Sequence, residues 1–256
     1  MSLKNLEYLR IENQTTEFPK HFHETFCISL IHKGTEQIDF ENHSLFSEAG
    51  CISITNPFEI HANPLIDSTT QLKFDTIYIP NSVMQLFFEG KNIAFTNQNR
   101  KIKNEKANQL FTAVTKAIDS QNIESIHRSL KSFLTALKLY SQESDKEYTV
   151  INFKSFHAIN SYIENNIYDK FSLDVLSKIA HINKYGFAKK FKASTGMTPM
   201  NYVLMRKIFS SKNGIQKDSE LTSIAYQYNF TDMAHYSKTF KRYIGISPKQ
   251  FQENLI

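Results

Sequence analysis

One pattern occurs twice in the last hundred residues, and it restricts the possible folds more than any other feature of the chain. Leu176 to Asn183, then Phe187, Phe191-Lys192, Gly196, Thr198-Pro199 and Tyr202, is answered by Ile224 to Thr231, then Tyr236, Phe240-Lys241, Gly245, Ser247-Pro248 and Phe251. The offset is 48 residues up to the Asn183/Thr231 pair and 49 from Phe187/Tyr236 onward, so the second copy carries one extra residue where its second helix begins. A repeat of this fidelity is architectural.

Each copy predicts two short helices meeting at a tight turn. Leu176 with Ile179, and Ile224 with Tyr228, keep helical spacing and run into His181 or Asn229, residue types that tolerate a left-handed backbone at a helix end. Ile182 or Phe230 then fills the corner, and Asn183 or Thr231 is the expected N-cap of the second helix. That helix buries Phe187 and Phe191 in one copy, Tyr236 and Phe240 in the other, at i and i+4. Such a unit is a helix-turn-helix. Gly196 and Gly245 stop the second helices, and Thr198-Pro199 and Ser247-Pro248 start new ones with a cap followed by proline.

Charge divides at the same boundary. Residues 151–256 hold 15 Lys and Arg against 7 Asp and Glu, a balance of +8, whereas residues 1–150 hold 15 against 18, a balance of −3. A basic excess beside a helix-turn-helix predicts double-stranded DNA as partner, because each cation placed on a phosphate releases a condensed counterion.

These residues carry a family resemblance. From about Phe153 to Phe251 the chain resembles the DNA-binding domain of the AraC/XylS family of bacterial transcription regulators, most specifically in the string LTSIAYQYNFTDMAHYSKTFKRYIGISPKQF. The resemblance implies two helix-turn-helix units joined by a long helix, here from Pro199 to about Asn213, with two recognition helices in successive major-groove segments. In that joining helix the chain departs from the family: Ser211, Gly214 and Ile215 stand where a small residue and a Leu pair are usual.

Carried over by position, the groove-facing residues of the first recognition helix are Lys184, Tyr185, Gly186, Ala188 and Lys189, with Lys189 at a base-reading position. In the second they are Asp232, Met233, Ala234, His235, Ser237 and Lys238, with Lys238 in the equivalent place. Lysine can donate to guanine but lacks the fixed fork of arginine. With Gly186, Ala188 and Ala234 offering no hydrogen bond, thymine methyl contacts and DNA shape gain weight. Lys190, Lys192, Lys207, Lys241, Arg242 and Lys249 are expected on phosphates. A lysine on a helix is commonly just a solvated face; these polar positions stand out because they lie opposite the buried aromatics in both copies.

The first hundred residues read as β structure. Phe26–His32, Glu36–Phe40, Cys51–Thr55 and Leu72–Ile79 are separated by turn signals at Lys33-Gly34, Glu41-Asn42-His43, Ala49-Gly50 and Asn56-Pro57, a spacing that predicts an antiparallel barrel or sandwich. The run from His21 to Pro64 resembles the cupin-type effector domain found at the N-terminus of many AraC-family members. That resemblance implies a small-molecule effector, with His21, His23, Phe26 and Cys27, and further along His61, Phe74 and Tyr78, as its lining.

Within this stretch, His21-x-His23 with a later His61 invites comparison with metal cupins, where alternate residues of one strand point to one face. Cys27 stands where the acidic ligand is expected and Glu24 falls on the opposite face, so neither a metal nor another cofactor is assigned. Apolar positions from Leu110 to Leu137, broken near Ser120-Gln121-Asn122, predict an amphipathic helix pair that packs on the barrel. In the family such helices also form a homodimer contact, and Ser141–Thr149 then reads as a polar linker.

The expectation is an α+β chain of three segments: a cupin-like β domain over residues 1–100, a helix pair and linker over 101–148, and an all-α double helix-turn-helix domain over 149–256. The resemblance implies a one-component transcription activator that answers a small effector or dimerisation and contacts RNA polymerase. No apolar leader and no long apolar run are present, and two cysteines suggest no disulfide framework, so a soluble cytoplasmic protein without membrane association is expected. Two alternatives remain at this level. A cupin enzyme fused to a DNA-binding tail requires an occupied His21/His23/His61 site, and a sequence-indifferent architectural protein requires equal affinity for all DNA. The regulator reading has no catalytic residues.

Overall fold

A computed structural model describes residues 6–66, 71–145, 148 and 156–255. Eight strands come first: β1 (Glu7–Gln14), β2 (Phe18–His21), β3 (Thr25–Lys33), β4 (Thr35–Asp39), β5 (Ser44–Glu48), β6 (Ile52–Thr55), β7 (His61–Asn63) and β8 (Leu72–Pro80). They are followed by α1 (Asn81–Phe87), the two-residue strands β9 (Ile93–Ala94) and β10 (Lys101–Ile102), and helices α2 (Glu105–Asp119) and α3 (Ile123–Leu137). The strands form an antiparallel five-stranded sheet in the order β1-β8-β3-β6-β10 facing a four-stranded sheet in the order β2-β7-β4-β5.

The five-stranded sheet has two chemically different faces, and the period-2 alternation of its strands produces both. Phe26, Ile28 and Leu30 of β3, Ile52 and Ile54 of β6, and Ile77 and Ile79 of β8 turn to a core completed by Phe111 and Val114 of α2 and Leu130, Phe133 and Leu137 of α3. The residues between them, Cys27, Ser29, Ser53, Thr55, Thr76 and Tyr78, turn inward toward the other sheet. The helix pair thus covers the barrel with the face that its spacing marked as apolar. Asn104 and Asn122 cap α2 and α3 by accepting from the backbone N–H of Ala107 and Ser125, and Gln121 turns the chain between them at φ 57°. Part of the stretch expected as a polar linker is described, residues 146, 147 and 149 lying outside the described residues. Gln142–Glu143 forms β11 against β9, and the Tyr148 ring packs on Phe26 while its hydroxyl donates to the Ile93 carbonyl at 2.6 Å.

The rest is helical: α4 (His157–Asn165), α5 (Leu173–Ile179), α6 (Lys184–Thr195), α7 (Pro199–Gly214), α8 (Leu221–Gln227), α9 (Met233–Ile244) and α10 (Pro248–Glu253). The two copies of the repeat build the same corner. His181 and Asn229 adopt φ 53° and 57°. Ser177 and Lys178 carbonyls accept from Ile182 and His181, as those of Ala225 and Tyr226 accept from Phe230 and Asn229. This double closure is a Schellman motif. Gly196 and Gly245 end α6 and α9 in left-handed conformation, and Thr198 and Ser247 cap the next helices ahead of a proline.

The capping of α6 and α9 differs. Asn183 accepts from Gly186 N–H and caps α6, but Thr231 does not cap α9: Asp232 does, accepting from His235 N–H at 2.7 Å. The extra residue of the second copy shifts the cap by one. Gly214 is the last residue of α7, with nothing within 4 Å of where a Cβ would stand, so its low helix propensity costs little where helices fray anyway.

The helices are not separate from the barrel. One buried apolar cluster runs from Leu9, Ile11, Phe22 and Phe74 of the barrel into Phe187, Phe191, Tyr202, Tyr236 and Phe240. Phe22 lies 6.2 Å from the Tyr202 ring, Arg206 Nη1 pairs with Glu24 at 2.6 Å, and Lys212 pairs with Glu7. A Cβ at Gly245 would fall 2.8 Å from Ile11 Cδ1 and 2.9 Å from Phe18 Cζ, so the end of α9 is seated directly on the β surface.

Candidate DNA interface and effector cavity

Helices α6 and α9 each bury one aromatic face and leave the opposite one in solvent. Phe187 and Phe191 are buried in α6, as are Tyr236, Thr239, Phe240, Tyr243 and Ile244 in α9. Tyr185, at 82 % exposure, and Lys189 lie one turn apart on the open face of α6. Ala234, His235 and Lys238 occupy the open face of α9, with Met233 and Ser237 half-buried at its margin. Lys184 is partly engaged already, its ammonium 3.1 Å from Asp174 of α5. Asp232 is committed to capping, and the N–H groups it accepts from hold its carboxyl below the usual range.

Among the expected phosphate contacts, Lys190, Lys192, Arg242 and Lys249 are exposed and Lys241 is half-buried. Lys207 corrects the expectation. It is buried, and its ammonium donates to the Asp169 carbonyl at 2.6 Å and the Tyr228 carbonyl at 2.8 Å. Burial pushes its pKa down to about 8, and the group ties α7 to the end of α8 and the loop after α4 rather than reaching solvent. In sequence it looks like any surface lysine; nothing local shows that the carbonyls of Asp169 and Tyr228 need a donor.

Between the two sheets lies a small cavity lined by both polar and apolar side chains. His21 and His23, Cys27 of β3, His61 of β7, and Phe74 and Tyr78 of β8 line it. Phe26 does not: it alternates with Cys27 and is buried on the opposite face against Phe95 and Tyr148. Glu36 of β4, missed in sequence because its strand was read without a facing direction, forms part of the far wall. Its carboxylate accepts from Ser53 Oγ at 2.6 Å and Asn63 Nδ2 at 3.2 Å, and burial raises its pKa to about 7 against the pull of those bonds. Burial also pushes the half-buried Cys27 thiol up to about 12, with the Glu36 charge adding to it.

The three histidines meet in the cavity wall. The ring centroids of His21 and His61 are 4.3 Å apart, and the Nε2 atoms of His21 and His23 are 3.2 Å apart. Burial, then the neighbouring imidazoles, hold His21 and His23 well below the ordinary histidine range; burial and the Arg100 charge bring His61 down to about 4. All three are therefore neutral at pH 7. Their nitrogens could hold a metal ion, which the sequence pattern alone did not support.

The roof of this cavity comes from the helices. Tyr243 and Ile244, at the end of α9, line it alongside His21, His23 and Phe18. Its free volume is about 30 Å³. That is room for roughly two water molecules, far below the several hundred Å³ of a typical small-molecule pocket.

Comparisons with known proteins agree with this geometry. Residues 4–137 match the family model described as an AraC-like ligand binding domain, and residues 176–254 match that of a helix-turn-helix domain. The probable transcriptional regulator LumQ of Photobacterium leiognathi is 28 % identical over 138 residues, covering 53 % of each chain. The HTH-type transcriptional activator RhaS of Enterobacter sp. (strain 638) is 19 % identical over 92 % of this chain and 88 % of its own. Among solved structures, unsaturated fatty acid bound ToxT from Vibrio cholerae aligns at a TM-score of 0.55 and 14 % identity, over 100 % of this chain and 98 % of that one. An apo form of a ToxT variant aligns at 0.60 over 98 % and 97 %. At that identity the likeness speaks for the fold.

Proposed function

Because the chain belongs to the AraC family of helix-turn-helix transcription regulators, we propose that it is a cytoplasmic activator whose α9 reads DNA at one end and closes a ligand cavity at the other. The carrying observation is that one 12-residue helix bears both sets of residues. His235 and Lys238 face solvent in its first half, and Tyr243 and Ile244 roof the cavity at its end. A helix of this length is about 18 Å of rigid rod. An organic effector of ordinary size does not fit beneath Tyr243 and Ile244 as they stand, and one that lifts that end of α9 moves the reading end with it. Such a ligand shifts DNA affinity by the difference in its binding to the docked and lifted states.

On the DNA side, Tyr185, Lys189, His235 and Lys238 are the base-facing set, with Lys184, Met233, Ala234 and Ser237 at its edge. Lys190, Lys192, Lys241, Arg242 and Lys249 supply phosphate contacts, which position the helices without reading sequence. Homodimerisation through the exposed side of α2 and α3, and contact with RNA polymerase from the DNA-bound form, complete the proposal.

Selection of bound duplexes from a random library by the full-length protein tests it. Enrichment of a motif with two sub-sites about one helical turn apart is expected. In that motif Lys189→Ala and Lys238→Ala each lose about 1–3 kcal/mol, while random DNA loses much less. Absence of any enriched motif, or equal losses on both DNAs, would reject sequence-specific reading by these residues.

A further inference from the structure

The histidines in the cavity wall satisfy a set of conditions that packing alone does not require. His21 ends β2 and pairs in register with His61 of β7, so both side chains lie on one face of the ladder, and His23 follows two residues later. One ring nitrogen from each of the three lies within 4.8 Å of the others. His21 Nδ1 is 2.7 Å from the Pro19 carbonyl, and His61 Nδ1 is 2.8 Å from the Glu59 carbonyl. A carbonyl only accepts, so each of these Nδ1 atoms carries the proton, and each Nε2 presents a lone pair. Carbonyls that fix the tautomer and the ring plane in this way are the usual outer partners of metal-bound imidazole.

The spacing fits as well. A tetrahedral site with metal–nitrogen bonds of about 2.0–2.1 Å has an edge of about 3.3–3.4 Å between ligand nitrogens. The His21–His23 pair, hydrogen-bonded at 3.2 Å, stands close to that edge, and with the three nitrogens within 4.8 Å of one another the set draws together on binding an ion. All-nitrogen donors suit zinc, copper, nickel or cobalt rather than magnesium or calcium, which take oxygen. The cavity behind the rings accommodates an ion and a bound water, whereas it does not accommodate an organic molecule without moving α9.

We propose that His21, His23 and His61 form a binding site for a late first-row divalent cation of the zinc type, held through imidazole nitrogens with its open position toward the cavity. The inference deepens the regulatory reading of that cavity and rests on it: the ion is the small ligand the closed form accepts. It ties β2, against which α9 is seated, to β7 directly beneath Tyr243 and Ile244.

The test is titration of the metal-free full-length protein with cobalt(II), read by its visible ligand-field bands, followed by zinc(II) competition, with DNA binding measured on the same metal-free preparation. One equivalent should bind, and zinc should abolish the bands. His61→Gln should weaken binding by more than the roughly 10–100-fold that loss of an outer partner costs. His157→Gln, at an exposed histidine on α4, should change nothing. Should His61→Gln fail to fold by circular dichroism, His23→Gln, at the half-buried ring, gives the same comparison. Failure of the wild type to saturate at one equivalent, or equal affinity in the folded glutamine variants, overturns the site. Specific DNA binding that persists without cobalt binding rejects the ion and leaves the regulator; cobalt binding without specific DNA binding does the reverse.

Discussion

Replacing Gly245 by alanine is the sharpest probe of how the second helix-turn-helix is seated. Gly245 has φ +93°, and its Cβ would stand 2.8 Å from Ile11 Cδ1 and 2.9 Å from Phe18 Cζ. Left-handed backbone costs an L-residue about 1–2 kcal/mol. Ile11 is 1 % exposed and packed in the core, so the collision adds an overpacking cost of about 1–3 kcal/mol. Gly196 is the internal control: it has φ +67°, but its Cβ would meet Ile60 and Lys20 at 3.5 Å, ordinary contact. Gly196→Ala should therefore lose only the backbone part. In thermal unfolding of the full chain, Gly245→Ala should fall below Gly196→Ala by several degrees, at about 2–4 °C per kcal/mol for a chain of this size. Ile11→Val deletes the colliding Cδ1. Alone it should cost about 0.5–1.5 kcal/mol, but in the Gly245→Ala background it should cost less or restore stability. Equal losses for the two glycine variants, or additive losses with Ile11→Val, would refute the seating of α9 on β1 and β2.

Three further outcomes follow from the same geometry. Lys207→Met leaves the Asp169 and Tyr228 carbonyls without their donor and should destabilise by about 1–3 kcal/mol, while the salt dependence of DNA binding keeps its slope. A drop of about one unit in that slope would return Lys207 to the phosphate contacts. Glu36 holds its proton more tightly folded than unfolded, so it contributes stability that is complete below about pH 4.5 and is lost by about pH 7; Glu36→Gln should remove that loss, up to about 3 kcal/mol, as read by urea titrations at pH 5 and pH 8. The histidines act oppositely, because His61 falls to about 4 when folded: the wild type should weaken as pH drops from about 6.5 toward 4, and His61→Gln should blunt that weakening.

The repeat made the helical half legible because its signals are local. Caps, left-handed residues and glycine stops act within one turn, and His181, Asn229, Gly196 and Gly245 take the conformations their types favour. Where a local rule met an insertion it slipped: Thr231 looks like the cap by alignment with Asn183, yet Asp232 holds it because the extra residue falls at that point. In the barrel, strand positions were readable but facing directions were not. Assigning Phe26 to the cavity ignored the alternation that places Cys27, Ser29, Ser53 and Thr55 inside. Short strands such as β2 and β7 carry too few residues to show a period, although they bring His21 beside His61. Least legible were the contacts made across the whole chain, such as Gly245 on Ile11, Arg206 on Glu24 and Lys212 on Glu7. No spacing within 20 residues encodes them, and they put the recognition helix on the roof of the cavity.

In the proposed complex α6 and α9 enter one duplex side by side. Hydroxyl-radical footprinting of the full-length protein on its selected site measures this directly. The account predicts two protected segments on one face of the DNA, about 34 Å apart, with Lys189→Ala weakening one and Lys238→Ala the other. A single protected segment that both variants weaken alike would contradict it.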